Sequence, residues 1–450
     1  VVSFDKTKEI LDKGEAKAKE FTKVFDSIAT LQVVKKKRIK LRLLNASFLI
    51  NEIQLNGIKN YTPAYVFGKL KISEGDSITN KELNKKLGYL LASGSFESVD
   101  YHLKSKGAGK KLVIHIKENE QDATLRLGIH YDNVYESGVL LNYNRKNILL
   151  KNDAVSLDFV LGDESRFELH YFVDNGFNYS YGYSARYNRF KTGTKYNSTE
   201  INKINLQYID FTNRVYIQTN FDRKFAFGVG LEHQNIISKT ETISTVSGDP
   251  FVFDDSNYFN VYSYLKLDTY DDINFPTKGV FLDAKFKWYS WSSDFNNDFV
   301  QFSQIKGTLG FARNIFKNTT FLYTSQAGFT LGAVQSKTFD FLLGGYNKNY
   351  INNFIPFYGY EINALSEQTF LKSEFEIRHT LWKEHYVHVI ANYARVDDSV
   401  LSGGELFNDT KSGYALGYSV NTFIGPLSLK YSWSPETKNN FWNFNWGFWF

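Results

Sequence analysis

The residues that could do chemistry are few and poorly grouped. Eight His are scattered over 450 residues. His385 and His388 are the nearest pair, and on a strand a spacing of three turns them to opposite faces, so they cannot share a metal. Asp271-Asp272 and Asp397-Asp398 stand among turn-forming residues and read as turn acids rather than ligands. Asp254-Asp255 falls in an expected outer loop, where calcium is the alternative to a solvated turn. No Gly-x-Ser-x-Gly elbow, Gly-rich phosphate loop or His-Glu-x-x-His occurs. The absence of Cys removes thiol nucleophiles, disulfides and Cys-based metal sites. No catalytic, cofactor-binding or metal residue is therefore assigned, and no cofactor is expected. Three groups remain, and their chemistry is binding and placement. They are a glycine-aromatic loop (Leu343-Gly344-Gly345-Tyr346 with Phe357-Tyr358-Gly359-Tyr360), a basic run (Lys35, Lys36, Lys37, Arg38, Lys40, Arg42) and an aromatic end running from Trp442 to Phe450.

The aromatic end says what kind of element must carry these groups. Trp442, Phe444, Trp446, Phe448 and Phe450 alternate with Asn443, Asn445 and Gly447, Trp449 being the one exception. Period-two alternation puts one set on each face of a strand. An exposed aromatic edge in water invites aggregation. Between lipid and a polar lumen, the same pattern is what a transmembrane barrel strand requires.

Composition agrees. Aromatics make up 17% of the chain, with 40 Phe and 30 Tyr, and the 53 Lys+Arg against 48 Asp+Glu leave a formal charge of +5. That small excess gives no argument for a nucleic-acid partner. No apolar run reaches the roughly 18 residues of a membrane helix. Opening on Val1, with no Met and no leader, the chain is expected to be a processed product or a fragment.

Residues 4–31 carry an amphipathic pattern (Ile10, Gly14, Ala18, Phe21, Phe25, Ile28) that predicts one helix. The basic run that follows is a solvated linker or, in a membrane protein, a contact for anionic headgroups through Lys35, Lys36, Lys37 and Arg38. Residues 48–118 predict a β-α-α-β-β unit. Its marks are Asn56-Gly57 as a turn, Pro63 in a first helical turn, Thr79 and Glu82 as a capping box, and Leu83, Leu87, Leu90 and Leu91 on one helix face. From Ala123 onward alternating segments tile the chain: 123–132, 137–146, 153–162, 165–173, 178–190, 201–220, 223–238, 258–270, 279–291, 298–314, 318–333, 369–382, 385–396, 412–424, 425–434 and 441–450. That makes 16 strands, an even number. Loop lengths test the tally. Turns after even strands are mostly short, while 239–257, 334–368 and 397–411 all follow odd strands.

The order and spacing of residues 48–118 (Asn56-Gly57, Gly75-Asp76, Gly94-Ser95-Phe96, Val99, Glu118) resemble a POTRA domain. Phe275-Pro276-Thr277-Lys278-Gly279, the strand Gly425–Tyr431 and the aromatic end resemble the Omp-85 (bacterial surface antigen) superfamily. The resemblance implies an all-β transmembrane barrel of 16 antiparallel strands, preceded by a small α+β POTRA domain and an N-terminal helix. The expected domains are 1–47, 48–119 and 120–450. It implies an outer-membrane location with the POTRA-like unit in the periplasm. It also implies an insertion signal at Trp446, Phe448 and Phe450, read by the barrel-assembly machinery. In that family the loop matching 334–368 folds into the lumen, and an Arg at its tip pairs with acidic residues of the wall. Gly344, Gly345, Tyr358, Gly359 and Tyr360 mark that loop here, with Tyr358 at the Arg position, so that ion pair cannot form.

Four readings compete. Residues 2–16 and the single POTRA-like unit resemble the membrane half of a patatin-like phospholipase. The barrel would then anchor, and export, an N-terminal passenger whose Ser-Asp dyad lies upstream of Val1. The alternatives are a translocation or barrel-assembly component, a passive porin-like channel, and, least favoured, a soluble β-rich enzyme. The partners expected are outer-membrane lipids and lipopolysaccharide, the assembly machinery, a passenger domain and a second copy of the chain, with no nucleic acid.

Overall fold

The computed structural model describes residues 7–31, 47–176, 179–195, 203–221, 225–244, 249–334, 337–346, 353–397 and 409–448. The first segment holds two helices, α1 (Thr7–Glu20) and α2 (Thr22–Thr30), rather than the single helix expected. The break is at Phe21, whose ψ of 9° lies outside the helical well. The Thr22 hydroxyl donates back to the Lys19 carbonyl at 2.6 Å, the local bond by which Thr competes with the helix ladder.

An α+β module follows, made of β1 (Phe48–Asn56), α3 (Pro63–Leu70), β2 (Ser77–Ile78), α4 (Asn80–Leu91), β3 (Phe96–Lys106) and β4 (Gly109–Glu118). Its sheet runs β2-β1-β4-β3, with β1 parallel to β4. Thr62 caps α3, its hydroxyl accepting from the Tyr65 amide at 3.2 Å, and Pro63 stands in the first turn, where no N–H is missed. Ile50, Val66, Leu70, Leu83, Leu90, Leu112 and Ile114 form the core. Leu91, expected on the buried face of α4, is exposed, because one helical step past Leu90 carries it off the apolar stripe.

The sixteen barrel strands are those expected, one for one. The first eight are β5 (Ala123–Asp132), β6 (Glu136–Lys146), β7 (Asp153–Gly162), β8 (Arg166–Val173), β9 (Ser180–Lys195), β10 (Lys203–Phe221), β11 (Phe225–Ser244) and β12 (Pro250–Asp268). Three more follow, β13 (Gly279–Ser292), β14 (Phe302–Phe316) and β15 (Thr319–Leu331). After an inner sheet of β16 (Phe341–Leu343), β17 (Phe354–Ile355) and β18 (Leu365–Glu367), the wall resumes with β19 (Thr369–Trp382) and β20 (His385–Val396). It ends with β21 (Lys411–Thr422), β22 (Gly425–Trp433) and β23 (Asn440–Gly447), and β23 pairs with β5 to close the ring. Outward positions are apolar and exposed (Leu127, Ile217, Leu231, Trp288, Leu309, Trp442), while inward ones such as Asp210, Glu232, Asn392 and Asn443 are polar and buried. This is the reverse of a soluble protein and suits a lipid solvent.

Segment 239–257, expected as a loop, is mostly strand. β11 and β12 stay paired out to Ser244 and Pro250 because their alternation continues beyond the apolar belt. Asp254 and Asp255 therefore lie on opposite faces of β12 and cannot chelate one ion together; Asp254 accepts from the Tyr258 hydroxyl at 2.9 Å.

The module docks on the turns that follow β6 and β8. Asn152 accepts from the Thr62 amide at 2.8 Å and donates to its hydroxyl at 2.9 Å, and Lys69 pairs with Asp174 at 2.6 Å. Both turns follow even strands, so the module sits at the rim from which β5 starts.

Candidate functional site

The described residues between β15 and β19 fold into the lumen. Phe341, Leu343, Ile355, Phe357 and Tyr360 pack against Phe370 and Ala394 of the wall. On the opposite side Phe339 and Phe354 pack with Phe190, Tyr258, Tyr289 and Phe302. The loop thus touches wall strands on both sides of the barrel. Gly344 and Gly345 knit its two halves together. Gly344 donates to the Ile355 carbonyl at 3.1 Å, and Gly345 donates to the Tyr360 carbonyl at 3.0 Å and accepts from the Phe357 amide at 2.8 Å. All five residues singled out in this loop therefore belong to one folded unit.

At its tip the loop meets β20 to β22. The Tyr358 amide donates to Asn392 Oδ1 at 2.7 Å. Gly359 has φ +81°, and a Cβ there would lie 2.5 Å from the Trp433 carbonyl oxygen, so only glycine lets the tip approach the wall this closely. Lys430, inward on β22, holds the tip. Its ammonium donates to the Tyr358 hydroxyl at 2.8 Å and the Tyr346 hydroxyl at 3.2 Å. It also lies 4.4 Å from the centroid of the Tyr346 ring, which stacks on Tyr358 at 5.1 Å. Two phenol oxygens and an aromatic face are what a buried ammonium needs in place of a carboxylate.

The wall acids are engaged elsewhere. Glu374 pairs with Lys372 at 2.9 Å, and Glu376 lies 2.7 Å from His388 and 4.0 Å from Arg378. Cation and acceptor have exchanged sides relative to the arrangement the resemblance implied: the wall supplies the positive charge and the loop supplies tyrosines. The sequence carries Lys430 in plain view, but nothing local marks it, because its partners stand 72 and 84 residues away.

The second feature is the seam. β5 and β6 align ten residue pairs from Ala123–Arg145 to Asp132–Glu136, and β22 and β23 align seven from Leu427–Trp446 to Trp433–Asn440. Among the described residues β23 and β5 align only three: Asn445–Asp132, Trp446–Tyr131 and Gly447–His130. Leu125 and Leu127 of the remaining stretch of β5 are 63% and 71% exposed. Gly447 lets the two backbones approach closely: with φ +102°, a Cβ there would fall 1.9 Å from the Ile129 carbonyl oxygen. The weakness lies in the shortness of the pairing.

The other sequence candidates fall as follows. Trp446 faces outward in the seam, and the exposed Phe448 follows the end of β23; Phe450 lies outside the described residues. Lys35, Lys36, Lys37 and Arg38 also lie outside them. His388 faces in, while His385 faces out and bonds the Tyr418 hydroxyl at 2.5 Å. Asp271 and Asp272 are turn acids. Burial pushes the Asp271 carboxyl up, but the Thr277 hydroxyl and the Thr277 and Lys278 amides outweigh it and hold it at about 2. That turn carries a contact the sequence did not announce. Arg378 of β19 donates to the Pro276 carbonyl and lies 5.6 Å from the rings of both Phe275 and Tyr386.

A family model described as the OMP85 superfamily matches residues 110–450. Comparison with curated proteins returns no match. Among solved structures the chain is similar to BamA from Haemophilus ducreyi lacking POTRA domains 1-3, with a TM-score of 0.65 at 11% identity, covering 89% of this chain and 84% of that one. It is also similar to CdiB from Acinetobacter baumannii, with a TM-score of 0.56 at 12% identity, covering 89% and 73%.

Proposed function

The chain belongs to the OMP85 superfamily as a sixteen-stranded outer-membrane barrel, and from that premise we propose that it passes or inserts polypeptide segments by opening between β23 and β5. The observation that carries the proposal is the three-pair seam. Each backbone hydrogen bond contributes roughly 1 kcal/mol net, so this joint is the least costly in the ring to part. Its parted edges would offer unpaired strand groups, the chemistry by which an incoming strand is captured. The loop held by Lys430 packs against wall residues as far apart as Phe370 and Phe190, and this occupation of the lumen favours the reading over a passive channel. In the same reading the module at the rim faces the periplasm and receives the segment. Trp446, Phe448 and Phe450 serve recognition during the barrel's own assembly, and Lys35 to Arg38 serve contact with anionic headgroups.

Anchoring of an N-terminal lipid acyl hydrolase is the second reading. It rests on the likeness of residues 2–16 to the end of a patatin domain; the family match begins at residue 110.

The test uses the absence of native Cys. Tyr131 and Trp446 are partners in register, within disulfide range of each other. With Tyr131→Cys and Trp446→Cys in one chain, oxidation is expected to change the secreted and outer-membrane proteome of cells that depend on this protein, and reductant to restore it. An unchanged proteome under quantitative locking would overturn the proposal.

A further inference from the structure

Between the inner loop and the wall formed by β8 to β14 lies a cavity of about 510 Å³, closed on the loop side by Phe341 and Asn353. Six cationic side chains line it: Arg186, Arg214, Lys266, Lys285, Lys287 and Lys306. Among the described residues two carboxylates, Glu168 and Glu232, share the lining. Glu232 is taken by Arg214 and Lys287, each at 2.6 Å, and Arg186 reaches Asp210 at 2.9 Å. Lys285 stands 3.6 Å from Asp283, beyond hydrogen-bond length. With Asp210 and Asp283 counted, cations still outnumber carboxylates. Tyr216 and Tyr264 add ring faces to the same wall, with the Lys266 ammonium 5.6 Å from the Tyr264 ring.

An excess of like charge withdrawn from bulk water is costly, and it is relieved either when a lysine gives up its proton or when counter-charge enters. The cavity lies within the roughly 300–1,000 Å³ of small-molecule sites. Arg with several Lys on converging strands is the donor set for oxyanions. We infer that this chamber binds a small multivalent oxyanion bearing phosphate or carboxylate groups, independently of whether the seam opens.

The probes are inorganic pyrophosphate and citrate, titrated calorimetrically against the full chain in neutral detergent. Saturable binding is expected, falling roughly tenfold or more in the Lys285→Ala/Lys306→Ala variant. Affinity is expected to return with Lys285→Arg/Lys306→Arg and to stay unchanged when Lys81 and Lys85, exposed on α4 of the module, become Ala. Heat-modifiable gel migration checks that each variant is a folded barrel. Binding of pyrophosphate but not citrate would narrow the class to phosphates, and the reverse would narrow it to carboxylates. No saturable binding, equal binding by the folded Lys285→Ala/Lys306→Ala variant, or loss only in the Lys81→Ala/Lys85→Ala variant would overturn the inference.

Discussion

Two joints of one barrel differ sharply. β10 and β11 align sixteen residue pairs without a shift, from Leu206–Thr240 to Phe221–Phe225. β23 and β5 align three among the described residues. The bonds are of one kind in both, so the difference is one of length alone. Closure of a ring removes its edges in topology, but the cost of reopening is set by the shortest joint. Stability in this wall is therefore concentrated away from the place where the chain's two strand ends meet.

The strongest way to break the comparison is at Gly447. Gly447→Val places side-chain atoms where the Ile129 carbonyl already lies. A loss of roughly 2–4 kcal/mol or outright failure to close is expected, read as the urea midpoint of heat-modifiable migration. An unaltered midpoint would mean that the seam contributes nothing. Hydrogen exchange sharpens the comparison without mutation. Amides of β10 and β11 are expected to outlast those of β23 and residues 123–129 by orders of magnitude; uniform protection around the ring would contradict the ranking. Lys430→Ala should cost about 1–3 kcal/mol by leaving the buried Tyr358 phenol and the half-buried Tyr346 phenol without their cation. Its readout is protease cleavage within 353–368 of the folded barrel, and Lys430→Arg should retain part of the protection. If the alanine variant resists cleavage as the parent does, Lys430 does not hold the loop.

The smallest effect lies in the α+β module, which serves as a reference outside both joints. Hydrogen bonds from Lys106 and Lys111 hold the Glu52 carboxyl at about 2, below its usual 4.5. A depressed carboxylate stabilises above its unfolded value and loses that contribution as pH falls from about 4.5 toward 2. Glu52→Gln should flatten thermal stability across that window only. An identical pH profile in both proteins would show that the two lysines do not matter there.

The strand tally was legible because lipid and lumen demand opposite chemistry at successive residues, and loop parity kept the count in phase. The inner loop was legible through its resemblance to the family's lumen loop, marked here by Gly344, Gly345 and Gly359. What stayed hidden was pairing across distance. Lys430 on its strand looks like any lumen lysine until Tyr346 and Tyr358 arrive, and Arg378 gives no sign of Pro276. The length of the seam was hidden too, since alternation fixes which residues face out but not how far two distant strands overlap. Segment 239–257 misled for a related reason: polar residues beyond the apolar belt look like loop although their backbones go on pairing.

The contact of Gly447 with Ile129 also bears on slippage. A strand pair with only three rungs has little to stop it from sliding. A slide of one residue would turn Trp442, Phe444 and Trp446 into the lumen and Asn443 and Asn445 into lipid. The glycine sits in a notch that neither chain neighbour could enter, since Trp446 and Phe448 on either side carry bulky rings. It works as a detent, fixing where the last strand may stop while leaving it free to lift away.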